Sequence, residues 1–169
     1  YSLAGNITAS SNNASVGGAV SLNDMQQSAA ASVQNGTYIL TGDADIGAAL
    51  QGQIRTAALS GQVSANGSAV GGAITFNRIA DTTRALLNNV SMTARDLSIS
   101  ASQPGLGASI WSIAFNLSAA GGQAGVGGAV AVNLVDAERS ASLTNSDVEL
   151  SGSADLKSSL DGEIWGIGI

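Results

Sequence analysis

Val16-Gly17-Gly18-Ala19-Val20-Ser21-Leu22-Asn23 returns as Val70-Gly71-Gly72-Ala73-Ile74-Thr75-Phe76-Asn77 and again as Val126-Gly127-Gly128-Ala129-Val130-Ala131-Val132-Asn133, a step of 54 and then of 56 along the chain. Recurrence at such a period marks units that stack and bury a shared core. The chain then divides into the end of a preceding unit (1–15), repeat 1 (16–69), repeat 2 (70–125) and an incomplete repeat 3 (126–169), all in one continuous solenoid domain. With no Met before Tyr1 and with Ile169 inside an unfinished repeat, a piece of something longer is expected.

Outward from the glycine pair, other landmarks keep their spacing. Val33 and Asn35 follow Val16 at the same separations at which Leu87 and Asn89 follow Val70, and Leu143 and Asn145 follow Val126. A short strand is expected after each of these Asn residues. Next come Asp45-Ile46, Asp96-Leu97 and Asp155-Leu156, and then a strand-opening Ile54, Ile110 and Ile164. Aligned this way, the middle unit is three residues shorter before Asp96 and five longer before Ile110. The extra length falls at Gln103-Pro104-Gly105-Leu106-Gly107 and predicts an enlarged turn.

Between landmarks the sequence alternates with period two: Ala73, Thr75 and Asn77 face opposite to Ile74, Phe76 and Arg78. About five short strands per unit are predicted, near 16–23, 28–33, 37–41, 45–51 and 54–60 in the first. The stretches 80–87 and 136–143 could be helical on composition, but 28–33 occupies the same slot and favours strand. Asn35-Gly36 and Asn66-Gly67 are hairpin signals that do not recur in every unit, so antiparallel reversals lack their turns. The expected fold is all-β, a right-handed parallel β-helix (β-solenoid) of 54–56-residue repeats, with two or three coils to each repeat. A coil as long as the step from Asn116 to Asn133 would put Asn116 at the corner preceding Asn133, and Phe115 and Val132 in adjacent coils facing one interior. Direct stacking of Asn23, Asn77 and Asn133 on one another is not expected under that arrangement.

Composition narrows the partners. Six Lys plus Arg against 12 Asp plus Glu, without His, give a net charge of −6, so no nucleic-acid partner is expected. Without Cys there is no disulfide or thiolate chemistry, a fact that leaves the compartment open. With 22 Gly and few aromatics, the core should be built of small side chains. The longest nearly apolar stretch, 124–135, is too short and mixed for a spanning helix. Two Trp, two Tyr and two Phe are few for the girdles of a transmembrane barrel, so no membrane insertion is expected.

Candidate residues each have a structural reading beside a chemical one. The glycine pairs suit a corner with unusual dihedrals or a close backbone approach; no Lys, Ser/Thr pair or following helix completes a phosphate loop. Asp45, Asp96 and Asp155 recur and suit turns or caps, and calcium would need more oxygens than they supply. Asp43 with Asp45 is the densest acidic group and the first place to look for a cation. Asp136 with Glu138, and Asp161 with Glu163, could share a face as carboxylate pairs do in glycosidases, but solvated charge is the simpler reading. Lys157 is the only Lys and has no recurring equivalent. Trp111 and Trp165 recur with the repeat and are assigned to the core in preference to an exposed sugar platform. No catalytic, cofactor-binding or metal-binding residue is assigned, no cofactor is expected, and the chain is read as a non-enzyme.

The stretch Val126–Val135, followed by an acidic turn, a short strand ending at Leu143, then Asn145 and the alternating Val148-Glu149-Leu150, resembles repeat regions of very large bacterial exported adhesins. It is similar to filamentous, haemagglutinin-related and leukotoxin-like exoproteins. The likeness covers 16–169, departing in its variable loop lengths and lack of an obvious cap. The resemblance implies long right-handed β-helices, an extracellular or bacterial cell-surface location, and a structural shaft that holds distal binding or toxic domains away from the cell. Partners would be neighbouring repeats of the same parent chain, with a host or matrix glycan or protein engaged through other domains. Two other classes compete: a carbohydrate-binding or carbohydrate-cleaving β-helix, favoured by a groove of Trp111 with converging carboxylates, and a surface-layer or biofilm-matrix repeat.

Overall fold

A computed structural model describes residues 1–103, 105 and 107–169. Its described elements are eleven strands: β1 (Ser2–Ser10), β2 (Ser15–Ile39), β3 (Ala44–Ala49), β4 (Gln53–Ser64), β5 (Ala69–Ala94), β6 (Leu97–Ser102), β7 (Ala108–Ala120), β8 (Gly125–Thr144), β9 (Asp147–Leu150), β10 (Ala154–Ser158) and β11 (Gly162–Gly168). They form three sheets, β1-β4-β7-β11 (sheet 1), β2-β5-β8 with β9 also on β5 (sheet 2), and β10-β6-β3 (sheet 3). Every pairing is parallel. The molecule is an all-β parallel solenoid of 54–56-residue repeats, consistent with a right-handed coil.

Each repeat makes one coil, not two or three. Val16 pairs with Val70 and Val70 with Val126, and the register continues through Asn23, Asn77 and Asn133. Stacking each residue on its own counterpart lets like side chains form continuous ladders, which a shorter coil would break. Phe115 consequently pairs with Leu59 in sheet 1 and Val132 with Phe76 in sheet 2; both point outward, and neither faces a common interior. Asn116 lies beside Ser60, not one coil before Asn133.

The five short strands expected per unit merge into three in repeats 1 and 2 and into four in repeat 3, where β8 and β9 are separate. Residues 15–39 form one strand because the alternation runs unbroken through Asp24–Ser28. The phase changes at Asn35, Asn89 and Asn145, which adopt φ of 54°, 55° and 49°. A single left-handed residue turns the strand and moves the inward set from odd to even positions, so that Ala85 and Leu87 are followed inside by Val90 and Met92. The stretches 80–87 and 136–143 are strand. In the loop at 103–107, Gly105 and Gly107 have φ of 75° and 63°, as a turn requires; Pro104 and Leu106 lie outside the described residues.

Sheet 2 is long enough to face both others, and the two halves of the coil differ in polarity. It buries Ala85, Leu87, Val90 and Met92 against Leu97 and Ile99 of sheet 3. Against sheet 1 the apolar cluster is only Ala19, Ala58, Ala73 and Ala114, and hydroxyl and amide side chains fill the remainder. Between the halves, Ile54, Ile79, Ala108 and Ile110 form a third cluster.

Candidate functional site

The interior between sheets 1 and 2 is a hydrogen-bonded polar column. Asn23 Nδ2 donates to Asn77 Oδ1 at 2.8 Å, Asn77 Nδ2 to Asn133 Oδ1 at 2.8 Å, and Asn133 Nδ2 to Ser112 Oγ at 2.8 Å. Ser2, Ser21 and Thr56 link through hydroxyl contacts of 2.8 and 2.7 Å. The three Asn residues therefore do stack, because each repeat is a single coil. Towards the turn that joins sheet 1 to sheet 2, Gln62 Nε2 donates to Ser60 Oγ and Gln62 Oε1 accepts from Ser118 Oγ at 3.0 Å.

This column explains the glycine pairs. Gly71 points inward, and a Cβ there would overlap the Gln62 amide; one at Gly127 would overlap Asn116. Their φ values are not in the left-handed region, so close approach of the two sheets is their role, and the corner reading fails. Gly72 points outward, where a Cβ would meet only Gly128 O at 3.6 Å.

The recurring Asp residues do not form one ladder. Ser98, not Asp96, pairs with both Asp45 and Asp155. Asp96 sits at the preceding corner, which is one residue shorter in the middle coil, and the stretch from Ser98 to Ile110 is three longer than that from Asp45 to Ile54. The true length changes are smaller than the motif alignment implied, because Asp96-Leu97 matched Asp45-Ile46 by composition alone. At that corner Arg95 clasps Asp43 through Nε and Nη2, at 2.7 and 2.5 Å, and lies 3.3 Å from Asp96. Asp96 Oδ1 accepts the Ser153 N–H at 2.7 Å and its hydroxyl at 3.1 Å, bonds that hold its carboxyl below the usual range. Asp43 thus serves a guanidinium.

Asp136 and Glu138 do share the outward face of sheet 2, where each meets an arginine: Arg78 at 3.7 Å and Arg84 at 3.1 Å. Asp161 and Glu163 are exposed in the last coil, and Lys157 is exposed on β10. Among the described residues, no group of three or more His, Cys, Asp or Glu could hold a metal ion.

A buried ion pair was not foreseen. Asp81 and Arg139 both face inward, 3.8 Å apart, with side chains 0% and 2% exposed. Burial pushes the Asp81 carboxyl up, against the opposing pull of Arg139. Arg139 Nη1 also donates to the Asp81 and Glu138 carbonyls. The odd parity of 81 and 139 along strands whose odd residues turn inward was the available signal.

Trp111 and Trp165 are not core. They project from the outer face of sheet 1, about four-tenths exposed, with ring centroids 5.3 Å apart and planes 24° apart. Register places Arg55 beside Trp111, and the Arg55 guanidinium lies 5.7 Å over the Tyr1 ring. Each Trp turns one ring face to the other. Farther along this sheet, Ile7, Leu59, Phe115 and Leu117 line a shallow apolar groove of about 560 Å³.

No protein-family model matches the chain, and no curated protein or solved structure matches it. The class that the geometry defines is a repetitive all-β solenoid, an architecture consistent with a structural repeat module.

Proposed function

We propose that the chain is a structural shaft segment of a large secreted or surface-displayed bacterial exoprotein of the adhesin type. The observation that carries this reading is the residue-for-residue register of successive coils, Val16 on Val70 on Val126, which can be continued by any further copy. The exported setting is part of the proposal and rests on the resemblance of the Val126–Val135 stretch and its landmarks to exported haemagglutinin-related repeats. Ion pairs and amide ladders join one coil to the next, as at Arg95–Asp43 and Asn23–Asn77. Each coil adds only about 4.8 Å along the stack, one strand spacing, so the shaft is broad for its length.

Tandem copies joined from Ile169 to Asn6, a junction that keeps the coil register because Gly168 pairs with Ala114 and Asn6 lies at the level of Asn116, test this reading by small-angle scattering. The largest dimension should grow with copy number once the stack exceeds its width, at constant cross-section. Independent beads on a string would refute it.

A further inference from the structure

In the lobe formed by sheet 1 and the first half of sheet 2, the usual polarity is reversed. In the middle coil the outward side chains are Leu59, Val63, Val70, Ile74 and Phe76, with Ala or Gly between, while Thr56, Ser60, Gln62, Ser64, Thr75 and Asn77 are buried. Leu59 is 42% and Ile74 45% exposed although a coil covers them on either side, so the ends of the stack do not cause this exposure. The other lobe has ordinary polarity, with Leu87, Leu97 and Ile99 inside and Ser91, Thr93 and Ser100 on the outward side.

Charge is sorted the same way. Residues 2–23, 56–77 and 112–133, the strand–turn–strand of this lobe in three successive coils, contain no Asp, Glu, Lys or Arg. Arg55 and Arg78 stand at its base in the middle coil, beside the Trp111–Trp165 stack and the Asp24 and Asp136 carboxylates.

We infer that this lobe inserts into the hydrocarbon of a lipid bilayer. Both opposite faces are apolar and the turn joining them is uncharged, so one flat protein partner would cover only half of what a surrounding medium covers. Apolar exterior, polar interior and aromatics at the boundary are what strands present to lipid. Backbone groups must be satisfied there. Inside the stack β4 and β5 are paired on both sides, coil to coil, and so is the tip: Ala65 N–H donates to Ser10 O at 3.0 Å, Gly121 N–H to Ser64 O at 2.8 Å and Ser15 N–H to Ser68 O at 2.8 Å; β1, β2, β8 and β11 each keep one open edge, which a further coil of a longer stack would pair. From Arg55 to the tip, nine residue steps at about 3.3 Å give roughly 30 Å, comparable to the ~30 Å hydrocarbon core. The few aromatics are too sparse for a full girdle, but the two Trp stand where a boundary would lie.

The full chain mixed with phosphatidylcholine vesicles, an uncharged surface chosen against its net charge of −6, should float with them on a density gradient. Trp emission should shift to the blue and be quenched by lipids brominated near the headgroup end of the acyl chain. Leu59→Asp and Ile74→Asp should each lower the vesicle-bound fraction by at least about tenfold, whereas Ser100→Asp on the outward face of sheet 3 should not. Should the first two variants fail to fold, quenching in the unaltered chain decides. Flotation without quenching means surface adsorption and overturns the inference. Self-association in sedimentation without flotation makes a second copy the occupant and overturns it also.

Discussion

Asn77 donates its side-chain amide to Asn133 Oδ1, 2.8 Å away in the next coil, while its own Oδ1 accepts from Asn23 at the same distance. One buried amide therefore satisfies a donor below and an acceptor above. Asn77→Ala leaves both unpaired, and urea unfolding should register a loss of about 2–4 kcal/mol. A loss below about 1 kcal/mol would mean that the ladder follows from packing and adds little to it.

Gly71 and Gly72 are adjacent, yet should respond oppositely to the same change. Gly71→Val drives a side chain into Gln62, so thermal unfolding should fall well below the parent. Gly72→Val points outward and should be nearly neutral. Shortening the obstacle with Gln62→Ala should recover part of the Gly71→Val loss, giving strongly non-additive effects in a double-mutant cycle.

How much of this was legible beforehand depends on what each residue type encodes. The Val-Gly-Gly copies and the invariant distances to Asn35, Asn89 and Asn145 reveal a stacked repeat, but a strand-ending corner at Asn23, Asn77 and Asn133 does not hold: those residues lie mid-strand, and the bend is at Asn35, Asn89 and Asn145. Coil length is poorly legible in so long a repeat, because the Asn116-to-Asn133 step mimics a shorter internal period that the register does not follow. Asp96 was misplaced because one carboxylate before one aliphatic residue is weak information; only the register with Ser98 corrects it. Alternation showed that Ile74 and Thr75 face opposite ways but not which faces inward. The assumption that apolar means buried put Trp111 and Phe115 inside, while the charge-free stretches flanking them pointed the other way.

Two carboxylates should give opposite pH signatures. Asp81 is raised above 3.8 by burial, so its contribution to stability is fully present below that value and is lost as pH rises through the folded pKa. Asp96 is lowered by the Ser153 N–H and hydroxyl, so its contribution is present above 3.8 and is lost as pH falls through the folded pKa. Melting temperature across pH 2–8 should therefore flatten on the higher-pH side in Asp81→Asn and on the acid side in Asp96→Asn. A variant that shifts the curve without changing its shape would contradict the assignment.

At Asn89 the left-handed φ of 55° sets the rule for substitution. Asn89→Gly relieves the Cβ but drops the amide that donates to Asn35 Oδ1 at 2.8 Å on an exposed corner, so it should change stability by less than about 1 kcal/mol. Asn89→Val forces a β-branched residue into that conformation and should cost at least about 1–2 kcal/mol. Equal effects would mean that the bend is held by its neighbours and not by this residue.

The two lobes differ in what a large apolar side chain does for folding in water. Leu87 is fully buried between sheets 2 and 3, and Leu87→Ala removes its packing and leaves a cavity, for a loss of about 2–5 kcal/mol. Phe76 is larger still but faces outward and is 39% exposed, with Leu22 and Val132 as its ladder neighbours. Phe76→Ala should cost less than half as much by chemical denaturation. Comparable losses would show that the outer face of sheet 2 is packed in water, contrary to its exposure. The same pair separates stability from surface use, since only the Phe76 change should also alter apolar-dye binding by the folded chain. A dye signal that falls with Phe76→Ala and is unmoved by Leu87→Ala places the sticky surface on the charge-free lobe.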